Sequence, residues 1–101
     1  MTTRRYYLFS YDIAVDNEGD KRRSKVFEAL LARGDHIQFS VFICELNPRE
    51  LAELQAILID LLDHKKDQVL YIDLGHANNP IETGVETIGA PLQFSTRVLV
   101  V

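Results

Sequence analysis

An α+β fold running strand, helix, two strands, helix, strand is predicted by three observations. The segment Arg5-Tyr-Tyr-Leu-Phe-Ser-Tyr-Asp-Ile13 alternates at period two, Asn47-Pro48 opens a stretch whose leucines recur at helical spacing, and residues 36–46 and 68–74 are rich in β-branched and aromatic side chains. Period two marks a strand with two unlike faces; three-to-four-residue spacing marks a helix with one apolar stripe. In the first segment Tyr7, Phe9, Tyr11 and Ile13 share a face, which leaves Leu8, Ser10 and Asp12 on the other.

The remaining elements follow in order. After a loop holding Asn17 and Gly19, Asp20 is the expected N-cap of a helix that ends near Arg33-Gly34, with the glycine as its stop. Val26, Phe27, Leu30 and Leu31 form the expected buried stripe of that helix, and Arg22, Arg23, Lys25 and Glu28 lie off it. From His36 to Leu46 both parities are mostly apolar, so this stretch reads as sheet buried on each side, either continuous or broken into two short strands. Asn47 caps the second helix with Pro48 at its first position, and Leu51, Leu54, Leu58, Leu61 and Leu62 pack into the core to about His64. Gln68 to Leu74 is the last core strand, which completes the order of the ferredoxin-like fold. Residues 75–91, with three Gly, two Pro and two Asn, read as an irregular connection. Residues 92–101 read as an additional C-terminal strand, placed to join the sheet edge of a second subunit in a homodimer. The whole chain, residues 1–101, is expected to be a single domain with its core at about 5–74.

Composition sets the surroundings. At 47% hydrophobic the chain can bury a core, but a small one that gains from oligomerisation. The single cysteine, Cys44, lies in the apolar run from Phe39 and is expected to be a core residue in a reducing, cytoplasmic setting. No apolar run reaches the ~18 residues of a membrane span and the first residues lack a signal-peptide pattern, so neither membrane nor secretion is expected. A net charge of −4 excludes a broadly basic surface. Through residue 36, however, seven Lys or Arg face six acids, whereas four face nine thereafter, so cations concentrate in the first third of the chain.

Asp12 is the only acid in its apolar segment and stands where the alternation stops. An isolated acid there can simply solvate a strand end. Here Asp16, Glu18 and Asp20 follow at once, and then Lys21-Arg22-Arg23-Ser24-Lys25. Carboxylates hold hard divalent cations and basic side chains hold phosphate, the pairing that metal-assisted phosphodiester chemistry requires. His36, His64 and His76 show no ligand spacing, and no general base is evident.

Tyr11-Asp12-Ile13, the basic helix start Lys21-Arg22-Arg23-Ser24-Lys25-Val26, Gln38-Phe39-Ser40-Val41-Phe42, the Asn47-Pro48 helix start and Val69-Leu70-Tyr71-Ile72 occur in this order. In that order and at that spacing they resemble the small CRISPR-associated nucleases of the Cas2 family. The resemblance implies a ferredoxin-like homodimer in antiviral defence. It further implies a Mg²⁺-dependent endonuclease acting on RNA or double-stranded DNA, which assembles with the Cas1 integrase in spacer acquisition. Asp12 matches the family's acid at the end of the first strand, which makes it the catalytic metal ligand. Arg23 matches a basic residue of the first helix, Lys25 stands where some relatives have another, and Arg22 is adjacent; all three are expected to contact nucleic acid. Tyr11, Ser40 and Phe42 are expected to support the site, Phe42 by packing or dimer contact. The chain departs from the family in its longer acidic loop between Ile13 and the basic cluster, where Asp16 and Asp20 are either further members of the metal site or solvated loop charges. Two other readings use the same residues: a non-catalytic DNA-bridging subunit of the integration complex, and a regulatory ferredoxin-like dimer unrelated to nucleic acid.

Overall fold

The computed structural model describes residues 3–79 and 84–91. In chain order the elements are β1 (Arg5–Asp12), α1 (Gly19–Leu31), β2 (Gly34–Gln38), β3 (Val41–Leu46), α2 (Pro48–Leu61) and β4 (Gln68–His76). The four strands form one antiparallel sheet in the order β2-β3-β1-β4, with β1 central beside β3 and β4. This is the expected ferredoxin-like arrangement. Residues 92–101, where an additional strand is expected, lie outside the described residues.

Both helices cover one face of the sheet. Phe9, Phe42 and Cys44 from the strands meet Val26 and Leu30 of α1 and Leu54 of α2 in a core where all six are fully buried. The parity of β1 is as the alternation requires: Tyr7 and Phe9 are buried against the helices, while Leu8, Ser10 and Asp12 occupy the helix-free face. On that face Leu8 lies between Ile43 and Ile72, and Ser10 between Val41 and Leu70. Its centre is therefore apolar, and Leu70 and Ile72 remain about half exposed.

Several boundaries differ from the sequence expectation. The N-cap of α1 is Glu18, which makes no side-chain cap hydrogen bond, and Asp20 falls inside the first turn. The helix starts early because Asp16 organises the loop: its carbonyl accepts from the Gly19 amide at 3.1 Å and its Oδ1 from the Glu18 amide at 3.0 Å. Gly19 is buried, and a Cβ there would collide with the Ala14 carbonyl. Leu31 is exposed rather than core, since it sits about 100° around the helix from Leu30. Gly34 does not stop α1, which ends at Leu31; it opens β2, where a Cβ would come within 2.5 Å of Cys44 Sγ and of the Ile43 carbonyl.

The stretch 36–46 is broken, not continuous, by the turn Phe39-Ser40 between β2 and β3. Phe39 has φ 30°, a left-handed conformation that costs a non-glycine residue about 1–3 kcal/mol. The turn is held from below by His36, whose Nε2 lies 2.6 Å from the Phe39 carbonyl. α2 begins with a full capping box: Asn47 Oδ1 accepts from the Glu50 amide at 2.8 Å and Glu50 Oε1 accepts from the Asn47 amide at 2.9 Å. β4 runs two residues past its expected end, to His76.

Because Gly34 is needed for close approach to Cys44, Gly34→Ala is expected to destabilise the protein by about 1–3 kcal/mol through overpacking. A urea titration measures this as a lower midpoint at unchanged slope; an unchanged midpoint would mean that Cys44 moves aside without cost.

Candidate functional site

The site is built where β1 outlasts β3. Val41, the first residue of β3, lies opposite Ser10, so Tyr11 and Asp12 are flanked on that side by the Phe39-Ser40 turn. The Tyr11 amide donates to the Ser40 carbonyl at 3.3 Å, and the hydroxyls of Ser10 and Ser40 stand 3.5 Å apart. Asp12 pairs with Gln68 across β4, is exposed, and points to the helix-free face. Among the described residues its carboxylate joins no hydrogen bond or ion pair.

Tyr11 faces the helices, half-buried, with its ring 6.4 Å from that of Phe42. Burial pushes its phenol above the ordinary range, and the nearby Arg23 charge partly offsets this. Phe42 is fully buried, with ring contacts to Phe27 and His36 at 5.3 and 4.8 Å, so its part is packing.

The two adjacent arginines of α1 are sorted to opposite tasks. Arg23 Nη2 donates to the Ile13 carbonyl at 3.1 Å and Nη1 to Asp20 at 2.6 Å, which anchors the guanidinium at the end of β1, on the side of the helices. Tyr11, Arg23, Ser24, Phe27 and Glu28 line a shallow cleft of about 310 Å³ there. Lys25 is exposed and joins no ion pair among the described residues. Arg22 points inward. Its Nε donates to Asp67 at 2.6 Å and its Nη1 and Nη2 to Asp16 at 3.2 and 3.0 Å, with only 15% of its side chain exposed. Asp16 also accepts from Lys66 Nζ at 3.1 Å, so its oxygens are committed to cations of the chain itself.

Asp67 is the residue that the sequence reading passed over. Its side chain is fully buried, and it accepts from the amides of Ala14 and Asp63, each at 2.9 Å, as well as from Arg22. It stands in the charged run Lys65-Lys66-Asp67, and its partner Arg22 is 45 residues away, so no local pattern points to it. The Arg22 hydrogen bonds hold Asp67 down to about 2, against burial. Hydrogen bonds from Arg22, then Lys66, hold Asp16 well below the usual carboxylate range, and the two acids raise Arg22 in turn.

Among the described residues no three His, Cys, Asp or Glu side chains are grouped as a metal site. At the end of β1 Asp12 offers a divalent cation a carboxylate that is unpartnered among the described residues, with the Ser10 and Ser40 hydroxyls near the same strand end.

Residues 5–79 match the family model described as CRISPR associated protein Cas2. The chain is 34% identical over 91 residues to a CRISPR-associated endoribonuclease Cas2 of Rhodospirillum rubrum, covering 90% of this chain and 84% of that one. It is 37% identical over 84 residues to a CRISPR-associated endonuclease Cas2 of Halalkalibacterium halodurans, covering 82% and 84%. The crystal structure of Streptococcus pyogenes Cas2 superposes with a TM-score of 0.72 at 30% identity, over 83% of this chain and 99% of that one.

The Arg22 cluster has a readable pH signature. A folded-state value of about 2 for Asp67 lies below its ordinary 3.8, so the pairing contributes stability that is complete above the ordinary value and lost as pH falls through that window. Asp67→Asn is expected to melt about 5–10 °C lower at neutral pH. The difference from the unaltered protein should then narrow as the pH is lowered from 3.8 towards 2. A difference that stays constant down to that pH would assign the loss to packing alone.

Proposed function

This chain belongs to the CRISPR-associated Cas2 family, and we propose that it is a Mg²⁺-dependent endonuclease of CRISPR defence that works as a homodimer in the cytoplasm. One observation carries this reading. The Asp12 carboxylate is exposed and unpartnered among the described residues at the end of β1, and the Arg23 guanidinium is anchored on the carbonyl of the next residue, Ile13.

The donor set suits a hard divalent cation. Mg²⁺ takes oxygen ligands, keeps several waters, and is commonly held by one or two carboxylates. Asp12 supplies one. A second copy packed on the helix-free face would supply the other, and the apolar strip of Leu8, Leu70 and Ile72, which leads along that face towards Asp12, is the surface such packing would bury. When bound, the cation lowers the pKa of a coordinated water and neutralises charge on the scissile phosphate, which fits a chain with no evident general base.

The protein's own part is to hold and orient. Asp12 holds the cation, Arg23 and Lys25 take the phosphates flanking the cleaved bond, and the Ser40 hydroxyl and Tyr11 shape the edge of the site. Arg22 keeps the loop in place and does not itself touch nucleic acid, because Asp16 and Asp67 occupy its guanidinium. The substrate is RNA or double-stranded DNA, and the setting is spacer acquisition together with the Cas1 integrase. One observation favours a second reading, a non-catalytic DNA-bridging subunit: a single chain presents no metal-ligand cluster among its described residues. In that case Arg23 and Lys25 matter and Asp12 does not.

Asp12→Asn separates the two. It removes the charge that attracts the cation at an exposed position, so melting temperature and dimer should be unchanged. Metal-dependent cleavage should fall by more than the roughly 10–100-fold typical of residues that only support a ligand. Undiminished cleavage against Mg²⁺ concentration would move the metal elsewhere, and loss of cleavage with intact spacer integration would show that the two roles are separable.

For Arg23→Ala with Lys25→Ala, the slope of log affinity against log salt should drop by about 0.9 per lost duplex contact, equally for all sequences. An unchanged slope would return both residues to the status of a solvated helix face.

A further inference from the structure

We propose that Asp20 is a built-in competitor for phosphate: it occupies Arg23 in the free protein, and nucleic acid engages that arginine by displacing it. This rests on the reading of Arg23 as a phosphate contact above and names how that contact is regulated. Both terminal nitrogens of Arg23 are engaged, Nη2 with the Ile13 carbonyl at 3.1 Å and Nη1 with Asp20 Oδ1 at 2.6 Å. The arginine that should take a phosphate already holds a carboxylate, an anionic oxygen acceptor of the same kind. An acid in the first turn also suits the helix dipole, but any first-turn acid fills that role and none needs an arginine for it.

Only one of the two partners can leave. The Ile13 carbonyl is main chain, fixed just past the end of β1, whereas the Asp20 side chain is 99% exposed on the first turn of α1 and needs only its own torsions to swing away. Releasing it costs little, because both groups of an exposed ion pair are well hydrated when apart. The neighbouring arginine shows the contrast. Arg22 is closed by Asp16 and by Asp67, whose side chain is fully buried, so parting that pair would strand a charge out of water. The Arg22 cluster is permanent and the Arg23 pair is releasable.

When Asp20 goes, the bond to Ile13 still holds the guanidinium at the cleft that Arg23 lines with Tyr11, Ser24, Phe27 and Glu28. A phosphate arriving there replaces one anionic acceptor by another, so the arginine is never left bare. The exchange favours a polymer over a small anion. Asp20 is tethered three residues from Arg23 and competes at the high local concentration that a short tether gives; a free phosphate has no such advantage, whereas a strand already held by other cations presents its next phosphate on comparable terms. With Asp20 in place the pair is neutral and Glu28 adds an acid, so the empty cleft attracts few stray anions.

The test is the affinity of the whole chain for a short labelled DNA duplex and for a single-stranded RNA, at low salt and without added metal so that nothing is cleaved. Asp20→Asn keeps the size of the side chain, removes its charge, and should bind the probe about two- to fivefold more tightly, the worth of an exposed pair. Any loss of helix stability in this variant works against that sign, so misfolding cannot imitate the result. Two comparisons separate release of Arg23 from a general loss of negative charge. Glu18→Gln removes an exposed acid that joins no ion pair among the described residues and should gain less. With Arg23→Ala already in place, Asp20→Asn should gain no more than Glu18→Gln does. Unchanged affinity in Asp20→Asn, or an equal gain from Glu18→Gln or in the Arg23→Ala background, would overturn the proposal and leave the nucleic-acid reading standing. Failure of both the unaltered protein and Asp20→Asn to bind either probe would overturn the two together.

Discussion

The ion pair between Arg22 and the buried Asp67 fixes where the candidate site stands. It ties the start of α1 to the loop before β4, and Asp67 fastens that loop to the one after β1 by accepting from the Ala14 amide and closes it on itself by accepting from the Asp63 amide. A buried carboxylate is tolerated only when its oxygens are satisfied, and here four donors converge on the two oxygens. No buried side-chain polar atom among the described residues is left without a partner. With Arg22 held inward, the next residue is rotated by about 100°, which carries Arg23 to the Ile13 carbonyl. The inward arginine thereby positions the outward one.

Much of the fold was legible because its elements have strong local signatures. The parity of β1, the Asn47-Pro48 start of α2 and the order of elements follow from alternation, capping chemistry and spacing, each of which acts within a few residues. The start of α1 was not legible in the same way. Asp20 fits a cap by type, but the helix begins where Asp16 folds the loop and Gly19 lets it pass the Ala14 carbonyl. Gly34 looked like a helix stop for the same reason, since a glycine needed for close packing and one needed for a turn are the same letter.

The site divides along similar lines. Asp12 stands out as a charge in an apolar strand, and the structure leaves it exposed on the face that parity assigns. Arg22, Arg23 and Lys25 look equivalent in sequence, and contacts of the first with Asp16 and, 45 residues away, with Asp67 distinguish it from the other two. Phe39 shares a parity with Ile37, Val41 and Ile43 and reads as one more inward residue. The turn breaks that parity, so Phe39 is exposed while Phe42, on the other parity, is fully buried.

Charge explains why such a site would need more than cations. The chain is acidic, at −4, and its own carboxylates already neutralise Arg22 and draw on Arg23, which leaves Lys21 and Lys25 as the exposed cations of the cluster. Few free charges mean weak, salt-sensitive attraction for phosphate. Affinity for nucleic acid would then have to be gathered from parts that are each small, such as a cation held by Asp12 and a second copy that doubles the cationic patch. The same arithmetic protects the fold. The cluster around Arg22, paired within the chain and closed on the Asp67 side, holds the loop shape whether or not any cation is bound.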